Sequence, residues 1–478
     1  MRQRVNRRLF LGMAAAAPLA AQTRASGSGK ATPVAGYDVI VCGGGTAGLP
    51  AAVAAARRGA KVAIIERYGF LGGNPATSIM PTWHGLSGHH SGLLTEFAGR
   101  VKEFGLGPDP LRYDNNIEPE AVKALFLRMA VDAGVHLHLH SFIVGVQKTG
   151  NRVEQVITES KSGRRSYAAK VFVDASGDGD VAVRAGAPFN LGDNGKTQGM
   201  TLRFTVGQVN FDRYLDWAIT QPKYFGGLKA DRVEQLKDRA RKGESFYLGS
   251  RLSEMWEKDP DEELPRNTYF NTACIRLNEL SINSTRVYDL DPTNADDLTK
   301  AEVTCRLQAV AIWRYLKKNV PGFEKSILSA TAPAIGVRES RVIVGDYLVT
   351  TSDFESFREF PDSVLTCVVT YDSHDKQFYN TRSFRSGLGA IPYRCFLPKG
   401  LEGLLLAGRC LSSDHLTNSA IRRMESAFQT GEVAGTAAYM ALKEKTTPRR
   451  LAVKELQAEL TRAEVKINQA AFGLKKNT

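Results

Sequence analysis

The 478-residue sequence is 43% hydrophobic and 24% charged, the balance of a globular chain, which excludes global disorder. Its length suits roughly two or three domains with full cores. The net charge of +13 sits at the ends, with Arg2, Arg4, Arg7, Arg8, Arg24 and Lys30 before the first acid and nine Lys/Arg against four Asp/Glu from Lys443 onward, so the near-neutral body offers no nucleic-acid face.

The chain opens on Asn6-Arg7-Arg8-Leu9-Phe10-Leu11, which resembles the twin-arginine export motif. A mildly apolar run from Leu9 to Ala21 and small residues suited to cleavage follow. That run is shorter than the about 20 residues a spanning helix needs, and no later segment qualifies. The expectation is a periplasmic or otherwise exported protein; the alternative is a basic, disordered leader. Residues 22–36 read as a flexible linker of Ala, Ser, Gly, Thr and Pro.

Tyr37 to Arg67 reads as strand, glycine turn, helix and strand. Tyr37 to Cys42 is a short β-branched run suited to a buried parallel strand. Gly43, Gly45 and Gly48 fall in G-x-G-x-x-G spacing. Gly43 permits the tight turn, Gly45 leaves room for a pyrophosphate, and Gly48 lets the helix pack on the strand. Thr46 and Ala47 open an Ala-rich helix to Arg58, whose N-terminus offers N–H groups to phosphates. The second strand, Lys61 to Ile65, ends on Glu66 and Arg67, where an acid can accept hydrogen bonds from a ribose. A second glycine-rich loop, with Gly72, Gly73 and Asn74, follows directly and can bring backbone N–H groups to a ligand.

Beyond it, Trp83, His84, His89 and His90 cluster. His84 reads either as an active-site proton donor or as one of several inert histidines in a surface loop; no acidic partner argues for a metal. Helices are predicted over Gly92 to Phe104 and Glu118 to Ala133. Strands are predicted over Val135 to Ser141, Phe142 to Gln147, Val153 to Glu159 and Tyr167 to Val173. They form a β-meander with a hairpin at Gly150-Asn151. It ends in VDASGDGD, where Ala175 and Gly177 allow close approach and Asp178 or Asp180 caps a helix starting near Val181.

A second region runs from about Gly195 to Pro392, with a strand at Met200 to Val206 and helices at Phe211 to Ile219 and Leu298 to Lys318. Arg338 and Arg341 flank Glu339 in the extended stretch Ala332 to Thr350. They read either as anion-holding arginines or as ion pairs with Glu339 or Asp346. Leu404 to Arg409 is a further buried strand ending on Gly408. Asp414, His415 and Asn418 are expected in a polar loop, and a single helix from near Ser419 through Ala441. Leu451 to Ile467 is an amphipathic tail helix expected to pack. None of the six cysteines forms a C-x-x-C pair, so neither an iron–sulfur cluster nor a metal site is expected.

GGGTAG at Gly43, GFLGG at Gly69, VDASGDGD at Val173, GVRESR at Gly336 and LLLAGRCLSSDH at Leu404 together resemble FAD-dependent oxidoreductases with a glutathione-reductase-like flavin domain, related at a distance to fumarate reductase flavoproteins. The resemblance covers about Tyr37 to Lys445. It implies an α/β fold: a Rossmann-like FAD-binding domain with the inserted β-meander, plus a second α+β substrate or cap domain. The implied parts are signal and linker at 1–30, FAD domain at 36–195 and 393–445, cap at 196–392 and helical tail at 446–478.

It also implies FAD as cofactor, with Glu66 on the adenosine ribose, the first glycine turn on the pyrophosphate and Gly408 at the ribityl chain. Arg409 stands where many such flavoproteins carry an acid, and Asp414 is the nearest one. His84 could anchor or protonate, His84 or His415 serve as base, and Arg338 or Arg422 stabilise charge. With no second G-x-G-x-x-G unit, electrons are expected from a small-molecule substrate or a separate redox partner, and to pass to an unknown acceptor. Three readings follow: a dehydrogenase or oxidase acting on a sugar or hydroxy acid, a reductase of an activated double bond, and a non-catalytic flavin-binding subunit. An oligomer is compatible with all three.

Overall fold

The computed structural model describes residues 31–83, 92–103, 116–266, 268–376, 379–380 and 388–472. The export motif and His84, His89 and His90 lie outside the described residues.

The first strand, β1 (Thr32–Cys42), begins earlier than expected. Thr32, Pro33 and Val34 pair with Arg165, Ser166 and Tyr167, so the stretch taken as linker through residue 36 is partly strand; its partner lies far along the chain, where no local pattern could reveal it. Val39 to Cys42 are wholly buried because the sheet is covered on both faces, which is why the run is continuously apolar. After α1 (Gly48–Arg57) come β2 (Val62–Ile65), α2 (Asn74–Thr77), α3 (Leu93–Glu103) and α4 (Pro119–Asp132). Then β3 (His136–His138), β4 (Phe142–Thr149), β5 (Arg152–Glu159) and β6 (Arg165–Asp174) complete the sheet path β3-β2-β1-β6-β5-β4. Strands β4 to β6 form an antiparallel meander, but the first strand expected in it, at Val135 to Ser141, is instead β3, which pairs in parallel with β2 at the opposite edge; β1, β2, β3 and β6 are parallel.

A turn through α5 (Asp180–Arg184) and β7 (Phe189–Leu191) leads into the second body. Its strands are β8 (Phe204–Gly207), β9 (Phe246–Ser250), β10 (Phe270–Arg276), β11 (Glu279–Asn283) and β12 (Ile327–Thr331), in the order β12-β8-β11-β10-β9. With them come α6 (Phe211–Ile219), α7 (Pro222–Phe225), α8 (Ala230–Arg241) and α9 (Ala295–Asn319). Asn294 caps α9 by accepting from the Asp296 and Asp297 N–H groups, and Lys317 and Lys318 occupy its last turn. This body has its own core, built around Phe204, Tyr214, Trp256, Phe270, Ile312 and Phe323.

The larger core resumes at Ile343 in β13 (Arg341–Ile343), which pairs with β7. It continues through α10 (Thr351–Glu355), β14 (Ser363–Val368), β15 (Ser373–His374), β16 (Tyr379–Asn380) and β17 (Leu388–Pro392). Strand β18 (Leu404–Leu406) then joins β6 in parallel, Leu404 opposite Phe172. The single helix expected from Ser419 is two: α11 (His415–Ile421) and α12 (Met424–Lys443). His415 and Asn418 therefore sit in a helix, not a loop, because the Asp414 side chain accepts from the Thr417 N–H and starts α11 early. The break falls at Arg423, whose ψ of 145° is extended. The tail helix α13 (Val453–Arg462) is shorter than predicted and packs through Leu456 and Leu460. Among the described residues no helix is long and apolar enough to cross a membrane.

Candidate active site

Two glycine loops lie against each other where β1 and β2 end. Gly43 has φ +104°, and a Cβ there would come within 2.5 Å of the Ala175 carbonyl oxygen, so only glycine lets β1 leave the sheet beside β6. A Cβ on Gly48 would reach 1.8 Å from the Gly43 oxygen. The second loop docks by the Gly72 N–H donating to the Gly44 oxygen at 2.9 Å, and a Cβ on Gly73 would stand 2.9 Å from the Gly45 Cα. Glu66 accepts from the Gly44 N–H at 2.7 Å and the Tyr68 N–H at 2.9 Å. Burial pushes its carboxyl up, and those donors offset part of the rise.

At the end of β6 the cap differs from expectation. Asp174, not Asp178 or Asp180, accepts from the Val181 and Ala182 N–H groups, each at 2.9 Å. Gly179, left-handed at the start of α5, turns the helix end back onto the strand. Asp178 instead pairs with Arg409 at 2.7 Å and accepts from the Ser340 hydroxyl at 2.7 Å. Burial opposes its charge, but Arg409 and Ser340 hold its carboxyl below the usual range. Asp180 pairs with Arg341 at 2.6 Å. Arg341 thus has neither of its anticipated partners: Glu339 binds His415, and Asp346 binds Arg449.

These loops frame a cleft of about 130 Å³. Gly43, Gly45, Thr46 and Ala47 line it from the first turn, and Glu66, Arg67, Gly73 and Asn74 from the second. Ala175 and Gly177 come from the turn after β6, Gly408 and Arg409 from the turn after β18, and Arg338 and Arg422 from the second half of the chain. Gly48, Gly72, Asp178, Asp414 and His415 stand outside this lining. Gly48 and Gly72 act from behind, in helix and loop packing. The Asp414 carboxylate is taken by the Thr351 N–H and hydroxyl and by Thr417. The Arg409 guanidinium donates to the Gly177 and Val337 oxygens, tying β6 to the arginine segment.

The lining suits a dinucleotide. Helix α1 has no side-chain cap and no acid in its first turn, which leaves its N-terminal N–H groups for an anionic group. Gly45 and Gly408 bring bare backbone to the cleft, and Glu66 offers a buried carboxylate where a ribose would lie.

Beyond Arg338 lies a polar cluster. Arg338 donates to the Gly199 oxygen and the Thr201 hydroxyl, both at 2.7 Å, and to the Tyr269 hydroxyl at 3.2 Å. Burial and the charge of Arg286 push it down to about 10. Arg422 donates to the Asp372 oxygen at 2.5 Å and to Gln198 at 3.2 Å. Burial alone would raise Asp372, yet His374, Arg422 and Arg338 hold it well below the carboxylate range. His374, against Asp372 at 2.9 Å, is held neutral by burial and Arg338.

His415 sits between Glu339 at 2.7 Å and Asp375 at 3.2 Å. Burial opposes its charge, but the two carboxylates raise it to about 10. It is an imidazolium at neutral pH, with no lone pair to accept a proton. Sequence reasoning did not find Tyr269, Arg286, Asp372 or His374 in this site. The one available signal was the run of titratable residues in Asp372-Ser373-His374-Asp375.

Similar solved structures include the myxobacterial chondrochloren halogenase CndH, at 14% identity and TM-score 0.49, covering 93% of this chain and 87% of that one. A geranylgeranyl bacteriochlorophyll reductase-like protein from Thermoplasma acidophilum gives 14% and 0.44, covering 93% and 95%. The p-nitrophenol 4-monooxygenase PnpA from Pseudomonas putida DLL-E4 gives 12% and 0.44, covering 94% and 90%. Among curated proteins none matches in sequence. The FAD dependent oxidoreductase model matches residues 38–460. A glycine-turn cleft of this kind, inside a match spanning most of the chain, places the protein in the FAD dependent oxidoreductase family, with FAD as its cofactor.

Proposed function

We propose that this flavoprotein is a dehydrogenase or oxidase that takes hydride from a small organic substrate, a hydroxy acid or a sugar, and passes electrons to a separate acceptor. The observation that carries the reading is that Arg338 and Arg422, from remote segments, line the same cleft as the glycine turns. FAD, when bound, supplies the hydride-accepting chemistry. The start of α1 and Glu66 hold its phosphates and ribose. Arg338 and Arg422 orient the substrate and place positive charge where negative charge develops. Tyr269, bonded to Arg338, is the group at which a substrate proton is held. Burial opposes its ionised form, but Arg286 and Arg338 favour it and bring the phenol below its ordinary value. His84 remains a candidate on sequence grounds alone.

A second reading, reduction of an activated double bond, is favoured by Arg338 itself, because a guanidinium pushed down to about 10 is a better proton donor than an exposed one. Anaerobic visible spectroscopy separates the two. Bleaching of the oxidised flavin bands by a hydroxy acid or sugar is expected. Flavin that no donor bleaches, but whose chemically reduced form an enoate reoxidises, would replace the dehydrogenase reading with the reductase.

We also infer export by the twin-arginine route. Its support is the Arg7-Arg8 motif, together with six buried free thiols that suit a chain folded in the reducing cytoplasm before export.

A further inference from the structure

Arg286 is 5% exposed, and its Nε, Nη1 and Nη2 have no hydrogen-bond partner among the described residues. Its backbone is fixed on both sides by the Gln308 amide, which accepts from the Arg286 N–H at 2.8 Å and donates to its oxygen at 3.0 Å. The guanidinium lies 5.0 Å from the Tyr269 ring centre and 5.9 Å from that of Tyr288. A ring face attracts a cation but takes none of its N–H groups. A buried charge with no hydrogen bonds costs several kcal/mol, and native chains seldom carry one without a counter-ion.

Among the described residues, the carboxylates of this cluster are committed elsewhere. Asp372 serves His374 and Arg422. Glu339 and Asp375 serve His415. Meanwhile four guanidiniums, of Arg203, Arg286, Arg338 and Arg422, act on Tyr269. Arg203 is itself buried and pushed down to about 10. The cluster is over-positive, and Arg338 connects it to the cleft.

We propose that Arg286, Arg338 and Tyr269 form an anion subsite at the inner end of the cleft that takes the carboxylate of a small organic-acid substrate. The inference rests on the oxidoreductase reading and narrows its substrate class from sugars to acids. A planar guanidinium pair suits a carboxylate, and Tyr269 links the two, its ring under Arg286 and its hydroxyl bonded to Arg338. Arg286 supplies a charge that no carboxylate bonds among the described residues, so the anion completes the site.

The test uses FAD-loaded protein and a panel of acetate, glycolate, lactate and succinate, with inorganic phosphate and the matching neutral amides as controls. At least one carboxylate should perturb the flavin bands and raise Tm in the wild type, and the amides should not. Arg286→Met should weaken that response about tenfold or more with FAD content unchanged. Arg286→Lys should retain part of it, which guards against misfolding of the first variant. Without added anion, Arg286→Met should melt no lower than wild type, since it removes an uncompensated charge.

Four results would overturn the subsite: no response to any carboxylate, an equal response in Arg286→Met, phosphate acting as well as the carboxylates, or a shift confined to the flavin reduction potential. Failure of the flavoenzyme reading would appear separately, as wild-type protein that binds no FAD.

Discussion

At the scale of the residue, the cleft depends on which glycines face it and which face protein. Gly45 lines the cleft, and a Cβ there would meet Gly73 Cα at 3.4 Å, an ordinary contact, so the fold can accept a side chain. A Cβ on Gly48 would stand 1.8 Å from the Gly43 oxygen, a space that no side chain can share. Gly45→Val should therefore fold with normal circular dichroism and a near-normal melt but retain about one tenth of its FAD or less, since its methyls take pyrophosphate space. Gly48→Val should cost about 3 kcal/mol or more and yield insoluble or unfolded protein. Full FAD occupancy in Gly45→Val would mean that the pyrophosphate lies elsewhere. That Gly43 makes the turn and Gly48 the close helix packing was legible from spacing, because a β-strand that turns sharply into a helix leaves few backbone choices. That the Arg286 guanidinium has no hydrogen-bond partner among the described residues was not legible, since partnering depends on every neighbour in three dimensions.

At the scale of the element, α12 holds the first body together. Cβ atoms on Gly431 and Gly435 would come within 1.9 Å and 2.0 Å of the Ala47 and Ala51 oxygens, so α1 and α12 cross at backbone contact. The small residues of α12 were visible in the sequence, but its break from α11 was not. That break depends on Asp414 capping α11 and on extended backbone at Arg423. The same helix carries Glu432, which accepts from the Leu93 N–H at the start of α3 at 2.9 Å. Burial outweighs that bond and pushes Glu432 up to about 7. A carboxyl whose folded pKa is raised binds its proton more tightly in the folded state. Stability is therefore lost as pH rises from about 4.5 through 7, and the full cost is present above. Glu432→Gln keeps an acceptor for Leu93 and removes the charge. It should raise the denaturation midpoint at pH 8, by an amount worth up to about 3 kcal/mol, and give no gain near pH 4.5. An unchanged midpoint at pH 8 would mean that the ionised carboxylate is carried there at no cost.

At the scale of the whole molecule, the chain visits the cleft several times, leaving for the second body and returning through β13 and β18. The proposed twin-arginine route would carry the chain only after these visits are completed. Arg7→Lys together with Arg8→Lys should leave folded, FAD-loaded protein in the cytoplasmic fraction, whereas the wild type appears outside it; unchanged export of the double variant would remove the twin-arginine route. The sequence alone determined the α/β class, the nucleotide turn and the hairpin strands β4 to β6. Those features rest on local periodicity and on glycine geometry, which neighbours in the chain dictate, whereas FAD as cofactor was what the resemblance of the combined motifs implied. Tertiary structure alone decided that His415 is a cation between Glu339 and Asp375, that Asp414 caps a helix, and that Arg286, Arg338 and Tyr269 meet beside the cleft. A side chain's charge state and free hydrogen bonds are set by burial and by partners from distant segments, and those are fixed only when the chain has closed on itself.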